Sequence, residues 1–268
     1  MNHPRRRATL TCLAAGLLTA ALPAVSAAAY PDKPIRLVVP FPPGQGADIL
    51  ARLIGQHLAA ALGQPIVVEN KVGAGGIIGT AFAAKAAPDG YTLYMGSSGP
   101  LAIGPHVYKA VGFDTLKDFA PISNIASVTQ VLVTAPASQL ASAKDVVERA
   151  RAQPGMVPFG SAGSGTTSHL TMELFTQMSG ISLSHVPYKG SSTSMIDVMA
   201  GRVPLMFDSL PGVLTNVKSG SLRAIAVASA QRDPLLPNVP TVAESGVPGF
   251  ATSGWIGLLA PARTPPQI

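Results

Sequence analysis

From Ile35 onward the sequence alternates short apolar runs, small-residue loops and helical patterns, and that alternation restricts the folds open to it. Ile35-Arg36-Leu37-Val38-Val39 is a strand, closed by the Pro- and Gly-rich stretch Pro40 to Gly46. Leu50, Leu53, Ile54, Leu58, Ala61 and Leu62 then recur at three- and four-residue spacing, predicting a helix stopped by Gly63-Gln64-Pro65. Ile66 to Asn70 is the next strand, Gly73 to Gly76 a loop, Ile77 to Ala87 a helix, and Tyr91 to Met95 a third strand. After a looser stretch from Pro100 to Pro121, strands are predicted at 130–134, 183–186, 203–207, 222–228 and 256–259. Helices are predicted at 142–153, with Ser142 as cap, at 168–178 and at 194–200. Strand, loop, helix, strand is the order of a parallel sheet covered by helices, so the expected class is α/β in two lobes.

The first 29 residues stand apart. Arg5, Arg6 and Arg7 precede an apolar stretch from Leu10 to Leu22, and Val25 to Ala29 are small residues where a signal peptidase could cut. The apolar run is well short of the ~20 residues of a spanning helix. A cleavable export signal is expected, with the working protein starting near Tyr30. The three arginines account for half of the +6 formal charge, leaving +3 on the remainder. The other Lys and Arg are scattered, which argues against a nucleic-acid partner. The one cysteine, Cys12, lies inside the signal, so the exported chain has no disulfide, thiol nucleophile or cysteine-based metal site.

Three loops share a design in which a strand ends, small residues follow and a helix begins: Phe41 to Asp48, Gly96 to Gly99, and Gly160 to Ser168. Glycine allows close backbone approach, and the first helical turn offers unpaired N–H donors with a partial positive charge. Ser97, Ser98, Ser161, Ser164, Thr166 and Thr167 add hydroxyls. Facing one another across a cleft, such loops would hold a small carboxylate without any arginine. Enzyme signatures are weak or absent. Gly44-Gln45-Gly46 is followed by Ile49 where a dinucleotide fingerprint needs glycine, no Gly-Lys pair exists, and Ser161 and Ser164 miss nucleophile-elbow spacing. His57, on the apolar stripe, reads as packed or at the boundary; His106, His169 and His185 lack metal-ligand spacing. His169 could reach a ligand, cap or pack. Asp48 suits the helix dipole at a first turn, and Asp208, after an apolar strand, could shape the cleft or a hinge.

These segments together resemble the Bug (Bordetella uptake gene, TctC-like) family of solute receptors of tripartite tricarboxylate transporters. The matching stretches are Val39-Pro-Phe-Pro-Pro-Gly-Gln-Gly-Ala-Asp48, Val68-Glu-Asn-Lys-Val-Gly-Ala-Gly-Gly76, Ala87-Pro-Asp-Gly-Tyr-Thr-Leu93, Ser161-Ala-Gly-Ser-Gly-Thr-Thr-Ser-His-Leu170, His185-Val-Pro-Tyr-Lys-Gly190, Met206-Phe-Asp208 and Val239-Pro-Thr-Val-Ala-Glu-Ser-Gly246. They run in order through nearly the whole exported chain. The resemblance implies a two-lobed type II periplasmic binding protein with the ligand closed between the lobes. Residues 30–128 with 230–268 would form the first lobe and 129–229 the second. Phe41, Gly44, Gln45, Gly46, Ala47, Asp48, Ser97 and Ser98 would come from the first; Ser161, Ala162, Gly163, Ser164, Thr166, Thr167, His169, Tyr188, Lys189 and Asp208 from the second. Family members usually continue past Thr264-Pro-Pro-Gln-Ile268 into helices on the first lobe, so the resemblance also implies a chain truncated at its C-terminus.

The expected protein is therefore a periplasmic, monomeric, non-catalytic receptor. It would bind a small organic carboxylate, use no metal or cofactor, and deliver its solute to membrane permease subunits. A ligand sensor for a membrane signalling system is one alternative; an exported serine hydrolase using Ser161 or Ser164 with His169 is another.

Overall fold

The computed structural model describes residues 30–268. The export signal expected at 1–29 lies outside them. No helix among the described residues is long and apolar enough to cross a membrane.

The first part runs β1 (Ile35–Val39), α1 (Gly46–Leu62), β2 (Ile66–Asn70), α2 (Ile77–Ala84), β3 (Thr92–Ser97) and the four-residue α3 (Gly104–Val107). Then come β4 (Phe119–Thr134), α4 (Ala143–Ala152), β5 (Pro158–Ser161), α5 (Thr167–Ser179), β6 (Ser184–Pro187), α6 (Ser191–Met199), β7 (Leu205–Ser209), α7 (Leu210–Lys218), β8 (Arg223–Val227) and β9 (Ser253–Pro261). The strand order is β2-β1-β3-β9-β4-β7-β5-β6, with β8 also on β4. β1 pairs in parallel with β2 and β3, and β5 with β6 and β7. Strands covered on both faces are buried along their length, as β3 is throughout and β1 is apart from Arg36.

β4 connects two cores. Its residues 119–129 pair with β9, while 130–134 pair with β7 and β8. On the first side Ile35, Leu37, Val39, Met95 and Ile256 pack under α1, and Val38, Tyr94, Leu101 and Phe119 pack on the opposite face. On the second side Leu132, Phe159, Phe175, Phe207 and Phe250 form one core, and Val131, Val133, Met206 and Val213 the other. Leu132 lies between Val131 and Val133 yet faces the other way, as the two-residue period of a strand requires.

Several expectations change here. The chain returns to the first lobe at β9, later than residue 230. Val242, Val247 and Phe250 are buried in the second core, and Thr252 N–H still donates to Ala228 O at 2.8 Å. The looser stretch ends in the first half of β4, whose mixed burial and Pro121 hide a strand from a search for apolar runs. β5 is only four residues long, and α7 opens Leu210-Pro211-Gly212, which reads as a turn although proline fits a first helical turn. α1 forms as expected but turns Ala47, Ala51 and Gly55 inward, leaving Leu53 and His57 exposed. A Cβ on Gly55 would stand 3.4 Å from Ile66 Cγ2, so this face of the helix packs directly on β2. Ser142 does cap α4, accepting from Asp145 N–H at 3.2 Å.

Candidate functional site: a cleft of helix N-termini

The turn after β1 is braced from behind. Asp48 Oδ2 accepts from Gly44 N–H and Arg52 Nε, both at 2.9 Å, and Oδ1 accepts from Arg52 Nη2 at 3.0 Å and Asn70 Nδ2 at 2.9 Å. Asn70 Nδ2 also donates to Phe41 O at 2.8 Å. Burial alone would raise the Asp48 carboxyl, but Arg52, Asn70 and the Gly44 N–H outweigh it and hold the group below its ordinary range. Asp48 and Gly44, expected to face the ligand, therefore bond to each other outside the cleft wall. The bracing leaves the start of α1 open. Among the described residues no side chain caps it, so the first-turn N–H groups of Gly46 and Ala47 remain available.

The second turn follows β5. Thr166 caps α5 and donates from Oγ1 to Gly163 O at 2.6 Å, while Ser168 Oγ accepts from Ala162 N–H at 3.0 Å. Ser161 is fully buried, its Oγ 2.6 Å from His185 Nε2 and accepting from Gly163 N–H at 3.0 Å. His169 Nδ1 accepts from Gly165 N–H at 3.2 Å, and its Nε2 lies 3.4 Å from Glu173. The His169 and His185 rings stack with centroids 4.0 Å apart, and Phe159 stacks on His185 at 4.9 Å. Burial, with His169 beside it, pushes His185 down to about 4; burial also lowers His169, against an opposing pull from Glu173. Ser161 and His169 thus support the loop from behind instead of lining the cleft. The serine's histidine partner is His185, not the His169 of the hydrolase alternative.

Between the turns lies a narrow cleft. The first side contributes Phe41, Gln45, Ala47, Ser97, Ser98, Val128, Gly254, Trp255 and Ile256; the second contributes Gln130, Ala162, Thr166, Thr167, Ser168, Asp208 and Ser209. A larger recess shares Phe41 and Ala162 with it, and there Gly163, Ser164, Tyr188 and Lys189 face Gly73 to Gly76 and Tyr108. Gly44, Gly46, Asp48, Ser161 and His169 line neither space, and the other expected residues divide between an inner chamber and this outer recess. The lobes are bonded across both. Ser98 Oγ lies 2.9 Å from Thr167 Oγ1, Tyr108 Oη donates to Ser164 O at 2.8 Å, and Ser191 N–H donates to Gln45 Oε1 at 3.2 Å.

Asp208 is the one ionisable side chain among those lining the chamber. It is 3% exposed, and its Oδ2 has no hydrogen-bond partner among the described residues. Burial raises its pKa to about 6, partly offset by Ser191 and Ser209. Sequence reading missed Val128, Gln130, Ser209, Gly254, Trp255 and Ile256 as lining residues. They come from β4, β7 and β9 and meet only when the lobes assemble. No group of three His, Cys, Asp or Glu among the described residues could hold a metal ion.

Two α/β lobes joined by paired crossings, with helix N-termini on a closed cleft, define the periplasmic-binding-protein class. The family model described as tripartite tricarboxylate transporter family receptor, TctC, matches residues 50–268. Protein BugT of Bordetella pertussis is 42% identical over 245 residues, covering 91% of this chain and 75% of its own length. Among solved structures, R. palustris Rpa4515 with adipate superposes with a TM-score of 0.87 at 39% identity, covering 89% of this chain and 80% of that one. MatC from Rhodopseudomonas palustris with bound malate gives 0.83 at 30% identity, covering 88% and 80%. The chain belongs to the tripartite tricarboxylate transporter receptor family.

Proposed function

We propose that this protein is a non-catalytic periplasmic receptor that closes on a small organic carboxylate and presents it to a membrane permease. One observation carries the reading: the uncapped start of α1 and the hydroxyl-rich start of α5 meet across a closed cleft with no lysine or arginine among its lining residues. Each helix terminus favours an anion by about 0.3–1 kcal/mol, more where water is excluded. Gly46 and Ala47 N–H groups, with Ser98, Thr167 and Ser168, are the donors for a carboxylate; Tyr188 and Lys189 line its way in. The relatives seen with adipate and malate support a dicarboxylate of four to six carbons. Closure is a hinge motion where the two crossings lie side by side, with Thr129 paired to Ser253. The buried Ser161, held by His185 and Gly163, speaks against a serine nucleophile.

Trp255 lines the chamber and reports on it directly. Malate, succinate and adipate, each beside its methyl ester, are titrated against tryptophan fluorescence and thermal unfolding. At least one acid is expected to saturate and to add about 2.7 kcal/mol of stability at a hundred times its Kd, while its ester does neither. A folded preparation that ignores all three acids refutes the proposal.

A further inference from the structure

An anion entering this chamber meets an obstacle the helix termini do not remove. Asp208 lines the same wall, 3% exposed, with Oδ2 unpartnered among the described residues. Gln130 and Val131 face it from β4, Ala162 from the β5 turn, Gln45 from the turn before α1, Ser191 from α6, Ser209 from the end of β7 and Gly212 from α7. A Cβ on Gly212 would stand 3.1 Å from Oδ2, so even the helix above it closes down on the carboxylate. None of these neighbours ionises. The charges on the surrounding helices are engaged elsewhere: Asp48 with Arg52 on α1, Asp197 with Arg202 on α6, and His169 with Glu173 behind α5; Lys218 stands at the far end of α7.

We infer that Asp208 makes solute binding proton-linked: the receptor takes up one proton from solvent when a carboxylate enters the chamber. The proton goes to the Asp208 carboxyl, so the solute's carboxylate meets a neutral wall where it would otherwise meet a like charge. Two unpaired carboxylates cannot share a water-poor site without one being neutralised. Burial already raises Asp208 to about 6, and a second anion beside it raises it further. Asp208 is then the residue that determines which solutes are held: ionised carboxylates bind with a proton, and cations are refused once that proton is in place.

This inference rests on the carboxylate-receptor reading, and its test separates the two. Whichever of malate, succinate or adipate binds is titrated from pH 6 to 8.5, and proton uptake is measured by calorimetry at pH 7.5 in two buffers of different ionisation enthalpy. The expected result is a Kd weakening toward about tenfold per pH unit above pH 6, with close to one proton taken up. In Asp208→Asn the affinity should vary by less than about twofold over that range, because the amide is neutral and does not titrate. A pH-independent Kd with no proton uptake in the unaltered protein overturns the inference while leaving the receptor reading standing. A slope that survives in Asp208→Asn, or affinity that grows with pH as for a cation, also overturns it. If no acid binds at any pH, the receptor reading fails and this one with it. The buffer comparison needs no variant, so a poorly folding substitution does not block the test.

Discussion

At the scale of single residues, two aspartates of like chemistry end in opposite states because of what surrounds them. Asp48 collects donors from Arg52, Asn70 and Gly44 and stays ionised, bracing the turn whose other face meets the chamber. Asp208 has lost its water and has no cation in exchange. Its native pKa near 6 lies above the ordinary 3.8, so between those values the folded chain holds a proton that the unfolded chain releases. Stability from this group is therefore present below about pH 4 and declines as pH rises through 6. Asp208→Asn should unfold at a higher temperature than the unaltered protein at pH 7.5, by up to about 3 kcal/mol of stability, and at the same temperature at pH 4. Equal melting at both pH values would show that the Asp208 carboxylate is not strained. Neither aspartate's state could be read from its position. Asp48 sits where a helix dipole favours it, but its partners Asn70 and Arg52 come from β2 and the next turn of α1.

At the scale of elements, the site is a property of helix starts. Strand, small-residue turn and helix were legible as a pattern at Phe41 to Asp48 and Gly160 to Ser168, because glycine and hydroxyl residues there have few other uses. What props those turns was not. β5, β6 and α5 bring His185 and His169 into a stack behind the Ser161 turn, and residues 161, 169 and 185 have no spacing that announces it. The stack predicts an acid limb. His185 is held neutral, with a native pKa near 4 against an ordinary 6.5, so the unfolded chain binds the proton first as pH falls. Its stability is fully present above pH 6.5 and is lost on going from 6.5 toward 4, opposite in direction to Asp208 over the shared range. His185→Gln should flatten the decline in melting temperature over that interval; a decline as steep as that of the unaltered protein would assign it to other groups.

At the scale of the whole molecule, the lobes meet through glycines. Gly75, at φ +62, approaches Ser164 so closely that a Cβ would lie 2.7 Å from its carbonyl oxygen. That contact joins lobe to lobe, so an added methyl acts mainly on closure. Gly75→Ala should melt within about 1 kcal/mol of the unaltered protein, the cost of a left-handed alanine. Solute affinity should fall by about tenfold or more, since 1.4 kcal/mol of closure strain is one decade, and small-angle scattering should show a larger radius of gyration with solute present. Affinity within about twofold of the unaltered protein would mean that closure does not bring these backbones together. The crossing points are also decided at this scale. β4 carries the chain between lobes within one unbroken strand, with no change in composition at Thr129 to mark it.

The sequence by itself determined the α/β class, the turns that end in helix starts, and the ordered segments that mark the family. Those are local properties, fixed by side-chain period, by glycine's freedom and by hydroxyls at caps. Tertiary structure alone decided which turns face each other, that Gly254 and Gln130 complete the chamber, that Ser161 belongs to His185, and that Asp208 lacks a counter-ion. Each depends on groups far apart in the chain whose burial and pairing exist only after the two lobes have packed.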